Sequence, residues 1–247
     1  MVDHSSMKLG KSEPKYDRRT LMLAKYTVAL PEPPPQVDWS TKLTNLGIMG
    51  NDHLGDCTCA AIGHVVQTWT SQASSQVIIP DCEIISLYAK ACGYVPGDPT
   101  TDQGGIELDV LNYWRKNPVV GHTLNAYCSI KPGDISDIQN GIWLFGGVYV
   151  GLALPVSAQR QEVWDLGSLA GDGEPGSWGG HAVAICGFDP TGLTCITWGA
   201  LKRMSWPFWK TYGDESYALL SQDWIEANGD APSTFDMDTL IADLANL

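Results

Sequence analysis

No run of about 18 uninterrupted apolar residues occurs in the sequence, so no membrane-spanning helix is expected. Basic residues are scarce: 15 Lys and Arg stand against 28 Asp and Glu, a formal net charge of -13 at pH 7. Such a surface repels phosphate backbones and anionic lipid, which excludes nucleic acid and the membrane as partners. The opening MVDHSSMKLGKSEPKYDRR lacks the apolar core of a secretory signal. The seven cysteines are an odd set without the spacing of a disulfide scaffold, so at least one sulfur is free or paired between chains. A reducing compartment fits them best; the location is cytoplasmic on this reading or else unknown, since a removed signal leaves no trace. No second Cys-x-x-Cys pair completes a four-ligand zinc site, and no glycine-rich phosphate loop leads into a helix. No metal and no cofactor is therefore expected.

What is present is enough for one substantial fold. The 247 residues, 44% hydrophobic, can bury a sizeable core. Residues 1–37, ending in the proline-stiffened LPEPPPQVDWS region, read as an arm running over a surface. Residues 38–247 read as a single α+β domain, helical over about 38–130 and sheet-rich over about 131–247. Helices are expected at Cys57–Ser71, at Asp81–Ala91 with Asp81 as N-cap, at Ile106–Lys116 and at Asp134–Trp143. From Gly146 the period becomes two: GVYVGLALP, HAVAICGFD, LTCITW and SYALLS read as strands, with a long surface loop at 167–180. Leu240, Ile241, Leu244 and Leu247 fall on one side of a terminal helix.

The stretch NDHLGDCTCAAIGHVVQTW places two cysteines at the start of the first helix. There the backbone N–H groups and the helix dipole favour the thiolate of Cys57. Cys59 is rotated by roughly 200° from it, so it cannot face the same reacting atom and is assigned to packing. A nucleophilic thiol needs a base, and the only histidines are 4, 53, 64, 122 and 181. His64 lies about 10.5 Å along the same helix and is out of reach. His4 belongs to the arm, and His53 reads as a solvated loop residue. His181 begins a strand after two glycines, which leave room for a substrate, and is the favoured base.

GDCTCAAIG, TDQGGIELDVLNYW, GGVYVGLALP and GGHAVAICGFD, in this order over roughly residues 37–222, resemble papain-like cysteine peptidases, particularly bacterial and phage-type members. The resemblance implies a two-lobed fold with a helical lobe, a sheet or barrel lobe and an active cleft between them. It implies Cys57 as nucleophile and His181 as base, with Asn51 standing six residues upstream where the family carries an oxyanion-hole glutamine. The family's orienting asparagine has no counterpart; Thr197 is the replacement, with Trp198 shielding its bond to the imidazole. Gly104, Gly105, Gly180 and Trp198 are expected to bind substrate. The implied activity is cleavage of peptide bonds in polypeptides. The alternative is a papain-like scaffold with little activity, used for binding or for self-assembly through the arm or the aromatic run TWGALKRMSWPFWKTYG. The arm itself is read as a short pro-segment over the cleft, a strap onto a neighbouring subunit, or packing against the domain.

Overall fold

The computed structural model describes residues 3–27, 31–73, 75–221, 224, 239–240 and 242–243. Among the described residues, five helices form where apolar residues recur at helical spacing: α1 (Cys57–Ala73), α2 (Asp81–Cys92), α3 (Glu107–Trp114), α4 (Ile135–Phe145) and α5 (Trp206–Tyr212). Their ends follow local chemistry. The Asp134 side chain accepts from the Asp137 N–H at 3.1 Å and starts α4, and left-handed Gly93 and Gly146 terminate α2 and α4. Asp81 is not an N-cap: Pro80 holds that position, and Asp81 is the first helical residue, where its charge faces the positive end of the helix.

Eight strands among the described residues, β1 (Val37–Asp38), β2 (Ala126–Ser129), β3 (Val148–Leu154), β4 (Val163–Trp164), β5 (Gly179–Asp189), β6 (Gly192–Thr197), β7 (Ala200–Ser205) and β8 (Gly213–Leu220), make one mixed sheet. Its order is β2-β8-β3-β5-β6-β7-β4, with β1 paired to β5; only β4 and β7 run parallel. The alternation seen in the sequence separates two apolar layers. Val148, Val150 and Leu152 of β3 and Val183 and Ile185 of β5 join α4 and α5 on one face. Tyr149, Ala182, Ala184, Tyr217 and Leu219 face α1, α2 and α3 on the other. The small alanines let α1 lie close, and its residues from Cys57 to Ser71 are all buried.

Several expected boundaries move. β1 and β2 come from the arm border and the helical half, so the sheet draws strands from both sides of residue 130. Gly179 and Gly180 belong to β5, which shortens the 167–180 loop, and Trp198 lies outside β6 in a hairpin turn. Phe208, Trp209 and Tyr212 are buried, so this part of the aromatic run is core and presents no exposed face. Leu23 and Tyr26 of the arm are likewise buried in the α4 layer, and the Ser129 N–H donates to Leu21 O at 2.7 Å. Of the terminal helix, residues 239–240 and 242–243 are helical and Leu240 is buried; Ile241, Leu244 and Leu247 lie outside the described residues.

Candidate active site

α1 starts at Cys57 and points its first turn at β5, whose early residue is His181. The Ala182 N–H donates to Cys57 Sγ at 3.4 Å, which puts the thiol beside the strand residue following His181. His181 is fully buried; its Nε2 lies 2.6 Å from Thr197 Oγ1, and its ring stacks on Trp198 with centroids 4.4 Å apart. Its Nδ1 has no hydrogen-bond partner among the described residues. Trp198 takes this place through a two-residue hairpin loop: Thr197 pairs with Ala200, and Trp198 and Gly199 have φ of 47° and 72°. Both loop positions thus need positive φ, which is unfavourable for tryptophan and is offset by burying its indole against the imidazole.

The Asn51 side chain is buried and donates to Leu54 O at 3.0 Å and to Lys8 O at 3.5 Å. Asp56, next to Cys57, is fully buried; its oxygens have no well-aligned partner among the described residues, and the nearby Asn51 amide offsets burial only in part. Burial pushes its carboxyl up to about 8. The remaining residues sort by environment. Cys59 is buried against Cys92, His64 is buried with Nδ1 3.3 Å from Gln67 Oε1, and exposed His53 pairs with Asp52.

The groove in front of Cys57 is filled by the chain's own residues 8–12. The Lys11 N–H donates to Gly180 O at 3.0 Å, the Ser12 N–H to Gly105 O at 2.9 Å, and the Gly105 N–H to Gly10 O at 2.7 Å. Contact is at backbone distance: a Cβ on Gly104 would stand 2.0 Å from Gly10 O, one on Gly180 2.2 Å from Lys11 O, and one on Gly10 1.8 Å from Gly55 O. The Gly10 N–H also acts on the sulfur, in the direction that opposes burial. His4 also stacks on Trp198, with ring centroids 4.9 Å apart, and adds to the cover. The consequence is electrostatic. Burial drives the Cys57 thiol up to about 12 and the His181 imidazole down to about 3, so both are neutral in the covered molecule. The helix terminus by itself does not yield a thiolate here, because desolvation outweighs it. A cavity of about 410 Å³ opens elsewhere, between Asp17–Leu21 and the residues around α3.

The fold that carries these residues has counterparts among solved structures. Xylellain, a cysteine protease from Xylella fastidiosa, superposes with a TM-score of 0.65 at 14% identity, over 89% of this chain and 98% of its own. The fold is papain-like. Digestive procathepsin L 3 of the Tenebrio molitor larval midgut gives a TM-score of 0.56 at 14% identity, over 86% of this chain and 76% of its own. Bromelain from Ananas comosus, in complex with the E64 inhibitor, gives 0.51 at 14% identity, over 75% and 98%. No sequence-family profile and no curated protein matches the chain. The papain-like fold is therefore shared with these structures at 14% sequence identity.

Within the papain-like frame, His181, Thr197 and Trp198 are in contact, Cys57 touches the strand residue after His181, Asn51 bonds to Lys8 of the covering segment, and Gly104, Gly105 and Gly180 meet residues 10–12 at backbone distance. Sequence reasoning passed over Gly10, Lys11, Asp56, Glu107, Asp214 and Glu215. One signal was readable: Gly151, alone inside the apolar run VYVGLAL, marks a close approach by another group.

Proposed function

We propose that the chain is a cysteine peptidase, nearest to the bacterial and phage-type papain-like enzymes, held in a covered form by residues 3–12 and acting on polypeptides once they withdraw. The observation that carries this reading is the contact of Cys57 Sγ with the strand residue following His181, together with the 2.6 Å pairing of His181 Nε2 and Thr197 Oγ1. With Nε2–H donated to the Thr197 hydroxyl, the lone pair of Nδ1 is left to receive a proton.

When the covering residues leave, water and substrate replace the apolar contacts that keep both groups neutral. His181 Nδ1 then takes the Cys57 proton, and the sulfur attacks the carbonyl carbon of a bound peptide. The Asn51 amide and the Cys57 backbone N–H receive the developing oxyanion, each donor typically contributing about 2.7 to 4 kcal/mol. The C–N bond breaks as the imidazolium passes its proton to the leaving amine. Water, deprotonated by His181, cleaves the thioester and restores the thiol.

The test compares a chain with the cover displaced by Gly10→Val with the same chain also carrying Cys57→Ser or His181→Ala, on fluorogenic peptides. The displaced chain hydrolyses them, and either second substitution lowers the rate by at least a thousandfold. A displaced, folded chain without hydrolysis would reduce the protein to a papain-like binding scaffold.

A further inference from the structure

Lysine is rarely buried unless paired, yet the Lys11 side chain is 1% exposed. Its Nζ lies 2.8 Å from Asp214 Oδ2, 3.1 Å from Glu215 Oε1 and 3.1 Å from Ser12 O. A third carboxylate, Glu107 of α3, acts on the same charge; it is fully buried and neither oxygen has a hydrogen-bond partner among the described residues. The Tyr217 hydroxyl donates to Glu215 Oε2 at 2.9 Å and fixes that carboxylate. Gly151 makes the space: a Cβ there would stand 2.1 Å from Lys11 Cε and 2.8 Å from Glu215 Cγ. Glu215 pairs with Gly151 in the regular register of β3 and β8, and the shift between Gly151 and Leu152 leaves Asp214 outside the pairing beside it.

Two carboxylates in contact with one ammonium, and a third buried acid acting on it, exceed what a single lysine needs. Burial raises the Glu107 carboxyl well above its usual range and also raises Glu215, while Lys11 pulls both back. For Lys11, burial acts downward, but Glu107, Glu215 and Asp214 together hold its ammonium above the ordinary value. The shape of the site restricts what else fits. A slot wide enough for a methylene stem leads from the backbone pairing at Gly105 and Gly180 to the acids, so its ligand is a cation carried on a stem by a chain lying in the groove. The Asp214 side chain, 26% exposed, leaves the far end open enough for a larger head group.

We infer that Glu107, Asp214 and Glu215, set over Gly151, form a recognition pocket for a lysine or arginine side chain of the polypeptide substrate, the place Lys11 holds while residues 8–12 lie in the groove. The inference rests on the peptidase reading and names its substrate class: chains with a basic residue close to the bond that faces Cys57. It also explains why the covering residues do not simply copy a substrate. They supply the side chain the pocket selects, but it is the Gly10 N–H that acts on the sulfur.

Two measurements test it. In the full chain, alkylation of Cys57 at mildly alkaline pH is followed by mass spectrometry for Lys11→Arg and Lys11→Met. Arginine keeps the native protection within about threefold, whereas methionine, nearly equal in length but uncharged, speeds labelling at least tenfold. Equal protection by the two overturns the proposal, and this comparison decides alone if the displaced chain does not fold. Next, a Cys57→Ala chain with Gly10→Val is titrated with labelled peptides differing only in Lys, Arg, norleucine or Glu at one position. Basic peptides bind at least tenfold more tightly than the norleucine peptide, and Asp214→Asn narrows the gap; equal binding overturns the pocket. The same peptides offered to the Gly10→Val chain with Cys57 intact separate the two readings. A basic preference in binding without hydrolysis removes the peptidase and leaves the pocket, and hydrolysis without preference does the reverse.

Discussion

At the scale of single residues, the site departs from a simple thiolate picture because every ionisable group in it is buried. Thr197 is the residue on which the imidazole's orientation depends: its hydroxyl lies 2.6 Å from Nε2, and no second partner of that nitrogen is seen among the described residues. Thr197→Val keeps the shape and leaves a buried N–H unpaired, a loss of about 1 to 3 kcal/mol. Peptide hydrolysis by the uncovered chain falls roughly 10- to 100-fold, its pH profile shifts as the imidazole changes orientation, and Thr197→Ser restores both; a purely structural threonine would leave the profile unmoved. Asp56 gives a prediction in stability. Its folded carboxyl is raised to about 8, so the folded state holds a proton that the unfolded state releases near pH 4. Stability from this group is complete at low pH and declines by up to about 1.4 kcal/mol per pH unit as pH rises from 4 to 8. Asp56→Asn removes that decline, so melting curves at pH 5 and pH 8 draw together relative to the native chain. The positions of Cys57 and His181 were legible from the sequence because helix start and strand start have local signatures. Their protonation was not, because it depends on what lies over them, and no local pattern encodes that.

At the scale of elements, the covering segment illustrates how far local reading goes. Residues 8–12 have no strong helical or strand pattern, and their placement comes from three glycine-lined approaches, at Gly55, Gly104 and Gly180, distributed over the chain. The tightest is Gly10 against Gly55 O, so Gly10→Val forces backbone to move and releases the segment. Hydrogen exchange at Lys11 and Ser12, whose N–H groups now donate to Gly180 and Gly105, becomes faster by at least tenfold while α1 and β5 stay protected. Protection unchanged at both residues would mean that the glycine is a passive spacer. The helices α1 to α4 and the strands β3, β5, β6 and β8 were readable from periodicity and end signals. β1, β2, β4, β7 and α5 were not: β1 and β4 are two residues long and β2 four, too short to show a period, and β7 and α5 lie in the aromatic run TWGALKRMSWPFWKTYG, which reads without an element. The acids of the pocket come from α3 and β8, which are adjacent only in the folded sheet, so only Gly151 hinted at them.

At the scale of the whole molecule, the arm is two structures in one. Asp3 to Ser12 cover the groove, whereas Leu23 and Tyr26 fill the layer beneath α4, where each side chain contributes about 1.5 to 3 kcal/mol by burial. Removing residues 1–12 therefore uncovers the site and keeps a cooperative fold. Removing residues 1–26 takes roughly 3 to 6 kcal/mol from a domain whose total stability is of order 5 to 15 kcal/mol, and the melting temperature falls sharply. The shorter deletion leaves a distinct electrostatic mark, because it withdraws the Lys11 ammonium from Glu107, Asp214 and Glu215. The carboxyls of Glu107 and Glu215 are already raised by burial, and without Lys11 they rise further, so the folded state binds more protons than the unfolded one above the ordinary glutamate range. Stability of the shortened chain is then highest in acid and declines as pH rises past 4.5, more steeply than in the full chain. Thermal melts of the two chains from pH 4 to pH 8 measure the difference. A cationic peptide that enters the pocket flattens the curve of the shortened chain, because it restores the missing charge; curves that stay parallel with and without peptide would show that the three acids do not act as one site.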